Sequence, residues 1–397
     1  MAENNKSYLR LVREPEVDEL RKKARKTRNE KLKKAGIIAG IVLAVILVIY
    51  IIMSNITYTK TVTTMRYEEK TSDSNRYEQF ENGIVRYNRD GVVFLDKHNK
   101  EQWIHPCQIK QPIIDVNEHC FAVADCGGNS ILVFTKDGVK GEIKTTLPIE
   151  KISVSDQGIV GVILKSDESP SIILYDATGN VLVEHKISIG RIGYPVALEI
   201  SPDGMKLAVS HVALENGVKK SNVIFYEYGK SGKNKADNVV SKETFDGEII
   251  PEIFFMNGGT AIAVGDSSLI VYDTKGIPKI KKEIPLDREI KNVVHTRNYV
   301  ALILLNSTKS GYEARVYNKA GIQKTRAEFI GEYSNIKIAD HELIMTSGKN
   351  CLIIRENGKI KFQGEMSEDI LEIVPAKGPN RYHVMTKNEL KNIFLMI

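Results

Sequence analysis

Five side chains that can bind a metal ion or form a disulfide lie within 22 residues of the chain. They are His105, Cys107, His119, Cys120 and Cys126. Structural zinc sites are usually built from pairs of cysteines separated by about two to four residues, and no Cys-x-x-Cys occurs here. Buried thiols or a disulfide are the ordinary alternatives. We therefore predict no metal site in this segment.

A disulfide is the sharper hypothesis for this segment. If residues 113–116 and 120–124 form a tight hairpin, Cys107 lies near the end of the hairpin that carries Cys126. Disulfides persist in oxidising compartments outside the cytoplasm. The spacing makes Cys107 and Cys126 the candidate pair.

Complete motifs of the common enzyme classes are missing from the sequence. A phosphate-binding loop needs a glycine five residues before its Gly-Lys-Ser, but Ile224 holds that place before residues 229–231. The segment that begins at Gly265 lacks the second glycine of a serine-hydrolase elbow, and His341 lacks the second histidine of a zinc-protease helix. We assign no catalytic residue, no cofactor-binding residue and no cofactor. The sequence favours binding over catalysis without deciding between them.

Other chemically capable residues recur at regular intervals. Carboxylates stand at turns, namely Asp96, Asp137, Asp176 and Asp273. Tyrosines precede turns, namely Tyr175, Tyr226, Tyr272 and Tyr317. A side chain that returns at the same place in each repeat is typical of a structural role, because aspartates cap the local backbone of turns. We interpret the tyrosines as packing residues, with a sugar-stacking surface as the alternative.

The repeat itself predicts the fold. A β-branched or aromatic run, a polar turn ending in glycine and a second apolar run occur together seven times, at spacings of 38 to 51 residues. An eighth copy begins at Asn392. Such a period is typical of propeller blades, which contain four strands in about 40–50 residues. The sequence thus predicts an all-β fold, a β-propeller.

The blade count depends on the two ends of the repeat region. Eight sets of inner strands can be counted, but the last set stops after its third strand. Residues 58–67 are β-branched and alternating, so the stretch 55–67 is the candidate closing strand of the last blade. We favour eight blades and keep seven as the alternative, because end repeats are often atypical.

A membrane segment precedes the repeats. Residues 36–53 contain no charge, and residues 35–54 are long enough to cross a bilayer as one helix. Residues 1–34 carry twelve lysines and arginines against six acids, while the rest of the chain is neutral. By the positive-inside rule the tail 1–34 is cytoplasmic and the propeller 55–397 is extracytoplasmic. The absence of a basic excess on the folded domain argues against nucleic-acid binding.

The turn Ser201-Pro202-Asp203-Gly204 and the blade length resemble those of WD40-like and quinoprotein-like propellers. The Trp-Asp signature of WD40 blades is absent. The whole layout resembles an uncharacterised family of membrane-anchored propeller proteins from clostridial Gram-positive bacteria. That resemblance implies a location but no active residue.

The predicted function is that of a membrane-anchored scaffold in the cell envelope. Its partners are membrane lipid, through the anchor, and an envelope protein or wall polymer, with the inserts 214–220 and 230–237 of the fourth blade as exposed loops. An enzyme acting on an envelope polysaccharide and a ligand sensor are the alternatives. An enzyme predicts charged or histidine side chains converging on the central channel, whereas a scaffold predicts apolar exposure on one face.

Overall fold

In a computed structural model of the chain, the structure describes residues 14–68, 75–96, 100–306 and 311–397. The first thirteen residues of the predicted tail lie outside these ranges. The chain divides into two compact units, Met1–Ile56 and Thr57–Ile397. Each unit is described by itself below.

The first unit is a helix, α1 (Glu14–Asn55), whose apolar side chains from Ile37 to Ile52 are exposed. By length and composition its stretch Arg21–Ile49 is a candidate membrane span. The helix is longer than the predicted segment 35–54, because the preceding Lys, Arg and Glu residues are good helix formers. The basic segment and the apolar segment therefore form one continuous helix.

The second unit contains thirty-two described strands in eight four-stranded antiparallel sheets, which confirms the eight-bladed propeller. The chain reaches it through β1 (Lys60–Glu68). Blades 1 to 4 consist of β2 (Arg76–Phe80), β3 (Gly83–Tyr87), β4 (Gly91–Leu95), β5 (Glu101–Pro106); β6 (Pro112–Val116), β7 (Phe121–Asp125), β8 (Ser130–Thr135), β9 (Gly138–Lys144); β10 (Ile149–Val154), β11 (Val160–Leu164), β12 (Ser171–Tyr175), β13 (Val181–Lys186); and β14 (Tyr194–Ile200), β15 (Lys206–Glu215), β16 (Val218–Glu227), β17 (Val239–Asp246).

Blades 5 to 8 follow the same order. They consist of β18 (Glu252–Asn257), β19 (Thr260–Val264), β20 (Ser268–Asp273), β21 (Lys279–Pro285); β22 (Ile290–His295), β23 (Tyr299–Leu305), β24 (Tyr312–Asn318), β25 (Gln323–Phe329); β26 (Asn335–Ala339), β27 (Glu342–Ser347), β28 (Asn350–Arg355), β29 (Ile360–Glu365); and β30 (Glu372–Pro375), β31 (Arg381–Met385), β32 (Glu389–Met396), with β1 as the fourth strand. A short helix α2 (Ile189–Ile192) precedes blade 4, and a 3₁₀ turn (Ala236–Asn238) lies between β16 and β17.

Blade 8 closes the ring by joining the two ends of the propeller sequence. Strand β1 pairs with β32 from Lys60 opposite Met396 to Glu68 opposite Glu389. Just before β1, the Tyr58 N–H donates to the carbonyl of Lys361 in blade 7 at 2.7 Å. The amide of Asn380 donates to the Tyr58 hydroxyl at 2.8 Å. The chain is thus fixed at the seam between blades 7 and 8.

The blades pack face to face through apolar side chains. In each blade the middle strands are almost wholly buried, as in β11 and β12. The four predicted packing tyrosines, 175, 226, 272 and 317, are all buried in these interfaces. Of the turn aspartates, Asp96, Asp176 and Asp273 accept backbone N–H groups of their own turns. The four tyrosines and three of the four aspartates therefore have the structural role predicted for them, whereas the N–H of Asp137 donates to the Thr135 hydroxyl at 3.3 Å.

The order of strands gives the propeller two distinct faces. The face that the chain reaches at Thr57 carries the turns between first and second strands and between third and fourth strands; we call it the Thr57 face. The far face carries the turns between second and third strands and the links from blade to blade. The insert at residues 214–220 is the tip of the long β15–β16 hairpin on the far face, and residues 230–237 lie on the Thr57 face.

Candidate functional site

The predicted disulfide partners lie on the far face. Cys107 follows β5 and Cys126 follows β7, whose hairpin with β6 is the one predicted from the sequence. All four cysteines are free thiols in the structure, and the Cys107–Cys126 bond stays a prediction. Among the described residues, no three His, Cys, Asp or Glu side chains form a group that could hold a metal ion.

The residues with the most unusual electrostatics lie instead on the first strands of the blades, which surround the axial channel. Six of these strands carry a carboxylate. Glu150 on β10 accepts the hydroxyl of Tyr194, and the other five are Glu78 on β2, Asp115 on β6, Glu199 on β14, Glu252 on β18 and Glu372 on β30. Because first strands meet around the axis in a propeller, these acids belong to one region.

Asp115 and Glu199 are linked through the strand between them. The Val154 N–H donates to Asp115 Oδ2 at 2.6 Å, and the Ser153 hydroxyl donates to Glu199 Oε2 at 3.0 Å. Burial raises the pKa of both carboxyls, and the charge of Asp115 raises the pKa of Glu199 further. Two neighbouring carboxylates disfavour double ionisation, so this pair takes up a proton more readily than two separate carboxylates would.

Glu78, Glu372 and Lys337 lie together on the other side of the channel. Lys337 forms an ion pair with Glu372, which also accepts the Ile373 N–H at 2.8 Å. Burial, followed by the charge of Glu372, raises the pKa of Glu78 to about 7. These three side chains line a cavity of about 550 Å³, and Glu78 is reached by its solvent.

Two further groups extend the wall of the channel. His295 stacks on Phe254 with ring centroids 3.8 Å apart, and burial lowers the pKa of the imidazole to about 4, so the ring is neutral at pH 7. Burial raises the pKa of Glu252, an effect that the charge of Lys151 opposes. The wall thus carries more acids than bases. Four of the acids have raised pKa values, namely Glu78, Asp115, Glu199 and Glu252.

One arginine crosses the axis on the Thr57 face. Arg297 lies on the β22–β23 turn of blade 6, and its guanidinium contacts Asp156 of blade 3 at 2.7 Å. It also contacts Asn117 and Glu118 of blade 2, which is diametrically opposite blade 6 in a ring of eight. The bridge thus links the first-to-second strand turns of blades 2, 3 and 6 across the channel at this face.

The comparison with family models identifies the chain. Residues 54–395, the whole propeller, match the model described as "Family of unknown function (DUF5711)". The chain belongs to this family. Among curated protein sequences, none matches this DUF5711 protein. The expected clostridial origin and membrane anchoring stay predictions.

Solved structures resemble the DUF5711 propeller in fold. The crystal structure of Sqt1 from Saccharomyces cerevisiae matches with a TM-score of 0.55 and 11% identity, over 86% of this chain and 100% of that chain. The Pan2 WD40 domain from Neurospora crassa matches with a TM-score of 0.43 and 8% identity, over 86% of this chain and 97% of that chain. At such identities only the fold is shared.

The acids of the channel were missed by the sequence analysis, which considered carboxylates only at turns. A signal was present, since a single acid interrupts the apolar inner strands in PIIDV, ALEI and PEIF. Chemically, carboxyls with raised pKa values can bind a cationic group, which would displace their protons, or can act as general acids and bases. Charged side chains and a histidine do converge on the channel of this DUF5711 protein.

Proposed function

We propose that this protein is a single-pass membrane protein whose propeller lies outside the cytoplasm and binds an envelope protein or a wall polymer. The apolar run of α1 and the basic residues that precede it support the anchor and its orientation, because short cationic flanks remain in the cytoplasm. In this arrangement residues 1–34 are the cytoplasmic tail and residues 55–397 are the binding domain.

The proposal about the ligand rests on the side chains of the channel wall. Carboxyls on six blades face one axial region, and the pKa of Glu78 is raised to about 7 because its ionised form lacks sufficient compensation. A ligand ammonium group would supply the missing positive charge and lower that pKa, which couples binding to proton release. The ligand portion that reaches the channel is therefore proposed to be cationic, such as a lysine side chain or an amino sugar.

In-cell crosslinking tests the protein branch of this proposal. The tagged full-length chain is crosslinked in its native host, and co-purifying envelope proteins are identified. The Glu78→Gln/Glu199→Gln variant is expected to lose partners that a Glu283→Gln control retains, because Glu283 is exposed on the outer strand of blade 5. Partners retained equally by both variants would exclude the channel as the binding site.

Binding to purified wall polymer tests the other branch. The probe is a polymer with free amino groups, and the matched probe is the same polymer after acetylation. We expect binding of the first and at least about a tenfold weaker binding of the second, because a lost charge-assisted hydrogen bond is worth about 1.5–3 kcal/mol. Equal binding of the two polymers would exclude recognition of the amino group.

An enzyme is the second candidate function, and the Asp115–Ser153–Glu199 arrangement favours it. Acid and base catalysis of polysaccharide cleavage uses two carboxyls of which one is protonated, and the raised pKa values of the neighbouring Asp115 and Glu199 favour such a shared proton. Under this function, incubation with envelope polysaccharide produces new chain ends, and Glu199→Gln abolishes them. If no chain ends or other products form, the channel is a binding site only.

A further inference from the structure

The Thr57 face carries a basic sector that the proposed function does not use. It extends over the third-to-fourth strand connections of blades 5 and 6, which blade 7 separates from the seam where the chain joins the propeller. Its exposed lysines are Lys275 and Lys279 in blade 5 and Lys319 and Lys324 in blade 6. We call these four residues, together with Ile277 and Ile322, the basic sector.

The two isoleucines of the basic sector stand at the tips of their hairpins. Ile277 is 58% exposed and Ile322 is 53% exposed, although both lie in tight connections that a polar residue would fill equally well. Isoleucines between lysines on an exposed surface are typical of segments that insert into the headgroup layer of a bilayer. Lysine ammonium groups next to them are attracted to anionic lipid.

Two acids lie within or beside the basic sector: Asp273, and Glu356 of the neighbouring blade 7, which accepts the Tyr299 hydroxyl at 3.1 Å and contacts His341 at 3.4 Å. Asp273 accepts the Lys275 N–H in its own turn at 3.1 Å. Glu118 and Asp156 lie on the inner turns, where both contact Arg297. The outer part of the face in blades 5 and 6 is therefore basic, whereas its centre is acidic and compensated.

The covalent path of the chain selects the occupant of this surface. Thr57 Oγ1 donates to the carbonyl of Ile360 at 3.1 Å, so the chain is held by the propeller from Thr57 onward. Helix α1 ends at Asn55. Ile56 alone lies between the two, and one residue spans at most about 3.6 Å. A membrane that contains the apolar run of α1 is thus within reach of the face on which Thr57 lies.

We infer that the basic sector rests on the anionic headgroups of the membrane that holds the anchor. The inference depends on the anchor of the proposed function but not on any ligand of the channel. Contact at blades 5 and 6, together with the chain held at the seam of blades 7 and 8, would limit tilting of the propeller. The far face, which carries the tip of the β15–β16 hairpin, would then be presented away from the bilayer.

Tryptophan substitution combined with lipid quenching tests the inference on the full chain. Ile322→Trp is placed in vesicles of phosphatidylcholine and phosphatidylglycerol that contain brominated lipid, with emission from native Trp103 subtracted. We expect the new emission to fall by roughly half, because interfacial residues lie about 5–10 Å into the headgroup boundary. The control is Leu214→Trp on the far face, at a side chain that is 77% exposed, and its emission should not change.

Charge reversal sharpens the test. In Lys275→Glu/Lys279→Glu/Lys319→Glu, or at about 1 M salt where the screening length is about 3 Å, quenching of Ile322→Trp should be lost. Circular dichroism confirms that each variant is folded. Equal quenching at Ile322→Trp and Leu214→Trp, or quenching unaffected by phosphatidylglycerol, would overturn the inference while the anchor stands. If the full chain does not remain with vesicles, whether or not they contain phosphatidylglycerol, the anchor is rejected, and this inference is rejected with it.

Discussion

Blade 6 and the channel wall both contain acids with shifted pKa values, but the shifts in the two regions have opposite directions. In blade 6, Glu313 is fully buried and contacts Arg288 at 3.0 Å, Arg326 at 3.0 Å and Arg315. Burial would raise the pKa of Glu313, but hydrogen bonds from Arg315 and Arg326 outweigh it and hold the pKa below its usual value. In the channel, burial and a neighbouring carboxylate raise the pKa of Glu78 to about 7 and also raise the pKa of Glu199.

This difference separates charges that stabilise the fold from charges that are available to a ligand. A carboxylate surrounded by arginines is already satisfied and offers nothing to a partner. Binding of a cation to a carboxyl with a raised pKa is favourable, because the cation replaces the proton and compensates the charge. The channel carboxyls are therefore available to a cationic ligand, because the propeller's own cations do not fully compensate them.

The largest expected effect is in blade 6. Glu313→Gln leaves the guanidinium groups of Arg288, Arg315 and Arg326 without their shared carboxylate, and breaking such a buried pair typically lowers the free energy of unfolding by about 3–5 kcal/mol. Urea unfolding of the full chain in detergent measures this change against the exposed control Glu283→Gln. A loss below about 1 kcal/mol would show that blade 6 does not need the charge and would remove the contrast with the channel.

The channel should give a smaller effect with the opposite dependence on pH. Because the pKa of Glu78 rises from 4.5 to about 7 on folding, its stabilising contribution is complete below pH 4.5 and is lost as the pH rises to about 7. In Glu78→Gln, the fall in the free energy of unfolding over this pH range should be smaller than in the wild type by about 1–2 kcal/mol. This is less than the pKa shift alone implies, because channel water screens the carboxylate. Unfolding midpoints measured across this range test it.

The control for this titration is blade 6 itself. The pKa of Glu313 is lowered, so its contribution is present above its unfolded pKa and is lost as the pH falls. The wild-type stability profile should thus contain two opposing slopes, and Glu78→Gln should reduce the one toward neutral pH, to which Asp115, Glu199 and Glu252 also contribute. If Glu78→Gln leaves the slope toward neutral pH unchanged, the carboxyl is ionised in the native channel and the contrast fails.

The smallest effect is expected at the bridge across the axis. Arg297 is 37% exposed, and partly exposed ion pairs usually contribute less than about 1 kcal/mol, so Arg297→Ala should shift the unfolding midpoint only slightly. The same substitution widens the channel at the Thr57 face. Arg297→Lys keeps the charge and is the matched variant. A loss above about 3 kcal/mol for Arg297→Ala would place the bridge with the compensated charges of blade 6.

The sequence predicted the blades because turns and apolar runs are local features. Recurrence from Leu95 to Arg355 predicted seven blades, and the eighth followed from the copy at Asn392 and from the β-branched stretch 58–67, which includes most of the strand that pairs with β32. The roles of Asp176 and Tyr272 followed from their repetition. Each of these inferences needed only residues that are close together in the chain or equivalent between repeats.

The channel could not be predicted in the same way, because its residues meet only after the ring has closed. Arg297 and Glu118 are 179 residues apart, and no periodicity links an arginine in one turn with an acid in another. Lys337 and Glu372 lie on neighbouring blades at positions that carry other residues elsewhere in the repeat. These residues stand where the inner strands differ from one blade to another. The regular spacing of the turns gives no indication of them.

Closure of the ring by β1 and β32 has a consequence for how the protein is made. During synthesis β1 leaves the ribosome roughly 330 residues before its partner, an interval of about half a minute at usual elongation rates of about 5–20 residues per second. Through that interval an alternating strand of valine, threonine and tyrosine remains unpaired and open to association with other chains. Until blade 8 forms, this edge is the part of the nascent propeller most open to aggregation, and pairing of β1 with β32 removes it.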